Sequence, residues 1–170
     1  MLFIGRERDH LAVYPAALAT LEEAAGLSGT SLDVRFFNPA ASGEADLAVF
    51  ADAAGLLLPG GSDMANVPGQ VRAAHLALDA RIPVLGLCLG MQTMVTAFAQ
   101  KALASAGVNL AEAAPEAAIR SFVAMADADE PGHRPLPAHR TGEHASRLAP
   151  QTRLSVLLKA DSMATRYNHR

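Results

Sequence analysis

The sequence predicts an α/β domain with a doubly wound, mostly parallel sheet and helices on both faces. From Leu2 to Ala102, short apolar segments alternate with stretches of helical period, which is the order of βαβ units. Two of those segments, Gly55-Leu56-Leu57-Leu58 and Pro83-Val84-Leu85-Gly86-Leu87, are continuous apolar runs, as in strands covered on both faces. Each leads into a glycine-containing turn, at the sheet edge where open α/β folds bind their ligands.

Leu2-Phe3-Ile4-Gly5 reads as the first strand. A helix follows, with Pro15 near its start and Tyr14, Leu18, Leu21 and Ala25 on one face; Gly26 stops it. Leu32-Asp33-Val34-Arg35-Phe36 alternates apolar and polar residues, a strand pattern broken by Asn38-Pro39. After the strand ending at Leu58, Val67, Val71, Ala74 and Leu78 mark a helix with Pro68 in its first turn. Pro83 to Leu87 predicts a second buried strand. Met91, Val95, Phe98 and Ala102 define the stripe of the next helix. Beyond Gly107 the pattern weakens. Residues 119–125 and 154–158 are expected strands, and residues 130–140, with three prolines and a glycine, an expected loop. No repeat or linker divides the chain, so residues 1–170 read as a single domain.

Composition bounds the function. The chain has 170 residues, 51% of them hydrophobic, and a net charge of −3, which leaves no electrostatic footprint for nucleic acid or an anionic membrane. Its longest apolar run, residues 82–92, is too short to span a bilayer, and charges at residues 6–9 argue against a secretory signal. The single cysteine excludes a disulfide framework within these residues and a thiolate metal site. A cytoplasmic protein with no cofactor and no metal is the simplest expectation.

Gly86-Leu87-Cys88-Leu89-Gly90 carries the strongest chemical signal. A buried strand runs into a helix, and a nucleophile-type residue stands at the turn between two glycines, which is the logic of a nucleophile elbow. The helix starting near Leu89 points its N-terminus at the sulfur, which favours the reactive thiolate. Pro59-Gly60-Gly61 ends the neighbouring strand and should lie beside Cys88. A glycine N–H there, with the N–H of Leu89, could form an oxyanion hole.

Cysteine acyl chemistry also needs a base. The chain offers His10, His75, His133, His139, His144 and His169. His75, between the two motif strands, reads as a surface or packing residue. His133, His139 and His144 lie in or beside the proline-rich loop at spacings that fit no metal site.

Together these motifs resemble the class I glutamine amidotransferases, most closely the glutaminase domain of the CTP synthase family. Pro59-Gly60-Gly61 and Gly86-Leu87-Cys88-Leu89-Gly90-Met91-Gln92 carry the resemblance. Ala73-Ala74, Ile82-Pro83, Phe98-Ala99 and Arg166-Tyr167-Asn168-His169-Arg170 extend it. It implies a flavodoxin-like fold and a definite chemistry. Cys88 would attack the side-chain amide of L-glutamine, or a related small amide, to form a thioester, releasing ammonia and then glutamate. The N–H groups of Gly61 and Leu89 would hold the oxyanion, and Gly60, Gln92 and Glu112 would contact the substrate. A synthetase partner or a homo-oligomer fits such a domain. In register, Asn168 stands where the family has an arginine. The family's His-x-Glu pair does not occur in these residues, so the expected domain lacks its C-terminal part. Two alternatives stay open: a catalytically impaired homologue acting as a binding or regulatory module, and a DJ-1-type cysteine-elbow protein.

Overall fold

A computed structural model describes residues 1–38, 48–124 and 140–169. The chain divides into two compact units, Met1–Phe122 and Val123–Arg170. In the first, strands β1 (Leu2–Ile4), β2 (Arg35–Phe37), β3 (Leu56–Leu58) and β4 (Val84–Gly86) form a parallel sheet in the order β2-β1-β3-β4. The chain leaves β1 toward one edge and returns beyond it, so β1 and β3 flank a topological switch point.

Both faces of the sheet are covered, and the alternation of strand side chains shows how. Leu2, Ile4, Leu56 and Leu58 share a cluster with Phe50 of α3 (Ala48–Ala51), Ala73, Ala74 and Ala77 of α4 (Val67–Ala80) and Ala97 of α5 (Leu89–Ala102). Phe3 points to the other face, where its ring meets His10 of α1 (Glu7–Val13) at 5.2 Å and Phe36 at 5.6 Å. Each fully buried Leu or Phe contributes on the order of 1.5–3 kcal/mol by leaving water. Helix α2 (Pro15–Leu27) buries nothing completely, yet Tyr14, Leu18, Leu21 and Ala25, the stripe expected from its spacing, are half-buried. Strands β5 (Val108–Leu110) and β6 (Ile119–Phe122) pair parallel to each other.

Three expectations change. β4 is not a buried strand: it pairs only with β3 among the described strands, and Leu85 is 47% exposed. Terminal position in the sheet, not apolar content, decides this. Helix α5 forms as expected but turns a different face inward. Thr93, Thr96 and Ala97 are buried, while Val95 and Phe98 are exposed. Hydrogen bonding makes the inversion tolerable, because Thr93 Oγ lies 2.9 Å from Gln70 Oε1, and Thr96 Oγ reaches the Gln92 carbonyl at 2.8 Å and Ser121 Oγ at 2.7 Å. Finally, residues 154–158 are helical.

That helix, α6 (Arg153–Leu158), lies in the second unit. Thr152 caps it, its hydroxyl accepting from the Ser155 N–H at 3.3 Å, a start signal that a short apolar run conceals. The same unit holds an antiparallel hairpin of β7 (Arg140–Arg147) and β8 (Ser162–His169). Ser146 Oγ joins the Thr165 and Tyr167 hydroxyls across it, and the Arg140 guanidinium stacks 4.5 Å from the Tyr167 ring centroid. His133, His139 and most of the expected proline-rich loop lie outside the described residues.

Candidate active site

Cys88 is exposed, directly after β4 and directly before α5. Its backbone sits at φ 51°, ψ −112°, a region that costs a non-glycine residue on the order of 1–3 kcal/mol. The flanking glycines show why the chain must bend there. A Cβ on Gly86 would stand 2.6 Å from Met91 N and Cα and from the Gly90 carbonyl oxygen. One on Gly90 would stand 2.1 Å from the Leu58 carbonyl oxygen. Only residues without side chains let α5 begin pressed against β3.

Register then brings the second motif alongside. Leu58 pairs with Gly86, and the Leu87 N–H donates to the Leu58 carbonyl at 3.0 Å, so Pro59-Gly60-Gly61 emerges beside the cysteine. A Cβ on Gly60 would lie 3.1 Å from Cys88 Cβ, and one on Gly61 (φ +152°) 3.8 Å from Leu89 Cδ2. The N–H groups of Gly60, Gly61 and Leu89 have no backbone partner among the described residues.

A buried polar bridge locks the two segments together. Gln70, on α4, donates its amide to the Pro59 carbonyl at 3.3 Å, while its Oε1 accepts from the Thr93 hydroxyl, which also lies 3.0 Å from the Gly90 carbonyl. Both side chains are buried. The glycine strip and the first turn of α5 are thus held through one satisfied network.

The other expected residues are placed less directly. Gln92 is half-buried in the first turn of α5, its N–H donating to the Cys88 carbonyl at 3.2 Å. Glu112 is exposed in the turn after β5. His75 is a packing residue, bonded through Nε2 to Gln100 Oε1 at 2.7 Å. His144 meets the Thr141 carbonyl and the Tyr167 ring within the hairpin.

Two residues near the site carry no motif. Tyr14 joins α1 to α2, and its hydroxyl lies 3.5 Å from the Cβ position of Gly60 and 3.9 Å from that of Gly61. Burial pushes its phenol above the ordinary tyrosine value, and the Cys88 charge adds to this. His10 is 3% exposed, packed between Phe3 and Phe36. Its Nε2–H donates to the Ile4 carbonyl at 3.0 Å, Nδ1 has no partner, and burial holds the ring below the usual histidine value. Its packing and its bond to β1 make it a core residue. A cavity of about 600 Å³ opens at the β1/β3 switch point, lined by His10, Tyr14, Gly60, Gly61, Gln70 and Arg72 among others. Among the described residues no group of His, Cys, Asp and Glu could hold a metal ion, and no helix is long and apolar enough to cross a membrane.

Comparison with known proteins places this arrangement. The family model for glutamine amidotransferase class-I matches residues 20–170. The CTP synthase of Thermus thermophilus is 30% identical over 161 residues, 92% of this chain and 28% of that protein. The CTP synthase of Acaryochloris marina is 32% identical over 165 residues, with the same coverage. The chain therefore spans a little over a quarter of the length of these relatives. Among solved structures, the glutaminase domain of Trypanosoma brucei CTPS with bound acivicin superposes with a TM-score of 0.83 at 20% identity, covering 99% of this chain and 66% of that one. A doubly wound sheet with a cysteine at its strand–helix turn, and a family match over residues 20–170, lead to one conclusion: the chain belongs to the class-I glutamine amidotransferase family and is CTP synthase-like.

Proposed function

We propose that this domain hydrolyses the side-chain amide of L-glutamine, with Cys88 as nucleophile. The observation that carries the reading is the strained Cys88 backbone between Gly86 and Gly90, with Gly60 packed against its Cβ. The Cys88 sulfur forms a bond to the amide carbon while the carbonyl π electrons move to oxygen. The open N–H groups of Gly61 and Leu89 stabilise that oxyanion. The carbonyl re-forms, the C–N bond breaks, and the nitrogen leaves as ammonia carrying the proton that the Cys88 thiol gives up on attack. Water then adds to the thioester, the C–S bond breaks, and glutamate is released with the thiol regenerated. Gly60, Gln92 and Glu112 contact the substrate, and the Glu112 carboxylate suits the α-ammonium. By analogy with the CTP synthase relatives, the ammonia serves a synthetase partner or a further domain, in the cytoplasm.

A glutamine-mimicking diazo-ketone tests the nucleophile. It alkylates Cys88 with loss of dinitrogen, read as a mass increment on the one cysteine-containing peptide. A folded protein without the adduct refutes the catalytic reading. Gly61→Val abolishes hydrolysis while the far-ultraviolet circular dichroism persists; full activity in that variant removes the oxyanion assignment.

A further inference from the structure

We infer that Gln70 is a positioning residue of the Cys88 site: by holding the Pro59 carbonyl it turns the Gly60 N–H away from α4, as a hydrogen-bond donor to the substrate. The inference deepens the glutaminase reading above and rests on it. Chemistry fixes which way the Gln70 amide faces. The Pro59 carbonyl can only accept, so the amide nitrogen meets it, at 3.3 Å, and the amide oxygen is left for the Thr93 hydroxyl at 2.9 Å. Gln70 is buried, so both bonds are shielded from water.

The consequence lies on the other side of the peptide. The described residues contain no cis peptide bond, and in a trans peptide the carbonyl and the N–H that follows it point in opposite directions. A Pro59 carbonyl drawn to α4 therefore faces the Gly60 N–H away from α4. That N–H has no partner among the described residues. It belongs to the residue whose Cβ position is 3.1 Å from Cys88 Cβ. Carboxylates on the adjoining cavity do not claim it, since Asp9 pairs with Arg6 and Asp63 accepts from the Ala65 N–H.

Gln70 is also what keeps this peptide from turning over. Among the described residues no other group bonds the Pro59 carbonyl. The proline ring locks φ at Pro59, but ψ there and φ at Gly60 rotate easily, because glycine accepts either orientation of the peptide. Pro59 and Gly60 are only half-buried, so without the Gln70 amide the carbonyl turns to water and the N–H swings inward.

Two electrophiles on the whole chain test this. Iodoacetamide needs only the Cys88 thiol, whereas the glutamine-mimicking diazo-ketone must also seat its carbonyl against the backbone donors. Labelling rates are measured by mass spectrometry in wild type, in Gln70→Leu and in Ala77→Gly, a buried change on the same helix that touches neither bond of Gln70. Gln70→Leu is expected to slow the diazo-ketone about tenfold and to leave iodoacetamide within about twofold. Ala77→Gly lowers the melting temperature and leaves the ratio of the two rates unchanged. The direction of the N–H is read from the residual dipolar coupling of the Gly60 amide in isotope-labelled protein, which changes in Gln70→Leu while those of Leu57 and Ala74 keep their wild-type values. Should Gln70→Leu fail to fold, the double variant Gln70→Leu/Thr93→Val, which leaves no hydroxyl unpaired in the core, carries the same comparison. A Gly60 coupling equal to that of wild type, or two electrophiles slowed alike, overturns the inference. A wild type that reacts with iodoacetamide but not with the diazo-ketone sinks the glutaminase reading instead, and the dipolar coupling then decides by itself whether Gln70 sets the direction of the Gly60 N–H.

Discussion

Replacing Gly90 by alanine puts the packing of the elbow to a quantitative test. The added Cβ would stand 2.1 Å from the Leu58 carbonyl oxygen, 2.5 Å from its carbonyl carbon and 2.8 Å from its Cβ. A carbon and a carbonyl oxygen approach to roughly 3.3 Å, so the start of α5 and β3 must separate by about 1 Å. The obstructing atoms are mainly backbone in a buried strand, and no rotamer change relieves them. Overpacking of this kind costs about 1–3 kcal/mol, and the absence of a yielding side chain puts Gly90→Ala at the upper end. For a chain this long each kcal/mol moves the melting temperature by roughly 2–4 °C, so a loss of about 6–12 °C follows. Gly26→Ala is the matched control. Gly26 lies within α2, and a Cβ there meets nothing within 4 Å, so the substitution stabilises by about 0.5–1 kcal/mol. Thermal unfolding followed by circular dichroism reads both variants. Melting of Gly90→Ala within 2 °C or so of wild type refutes the contact between α5 and β3 that positions Cys88.

Cys88→Gly relieves the φ 51° backbone of an exposed side chain and stabilises by about 1 kcal/mol, whereas Cys88→Ala does not; equal denaturation midpoints for the two variants would remove backbone strain from the site. Thr93→Val strands the Gln70 carbonyl oxygen in the core and costs about 1–3 kcal/mol; a double variant with Gln70→Leu loses less than the sum of the single losses, and strict additivity in urea melts argues against a shared network. His10 is held below its ordinary value of 6.5, so the unfolded chain takes up its proton first as pH falls. Stability from this group is complete above 6.5 and lost as pH drops from there toward the folded value. His10→Gln, which can still donate to the Ile4 carbonyl, flattens the stability–pH slope in that window, and an unchanged slope contradicts the assignment.

What was legible in the sequence was local. A continuous apolar run, a glycine pair and a helical period state where a strand, turn and helix follow one another, because those signals act over a few residues. The alternation of such units implied a parallel sheet, and the elbow at Cys88 and the Pro59-Gly60-Gly61 turn could be set side by side because neighbouring strands end together. The tertiary structure decided everything that depends on which surfaces meet. It made β4 terminal in its sheet, which exposes Leu85 despite its apolar run. It turned Thr93 and Thr96 inward on α5, because partners on α4 and β6 satisfy their hydroxyls. It sealed His10 between two phenylalanines, and it carried Tyr14 to the glycine strip from a helix junction more than forty residues away in the chain. Periodicity records which residues can be buried. Only the assembled sheet and its helices determine which polar groups find partners, and so which of them come to stand beside Cys88.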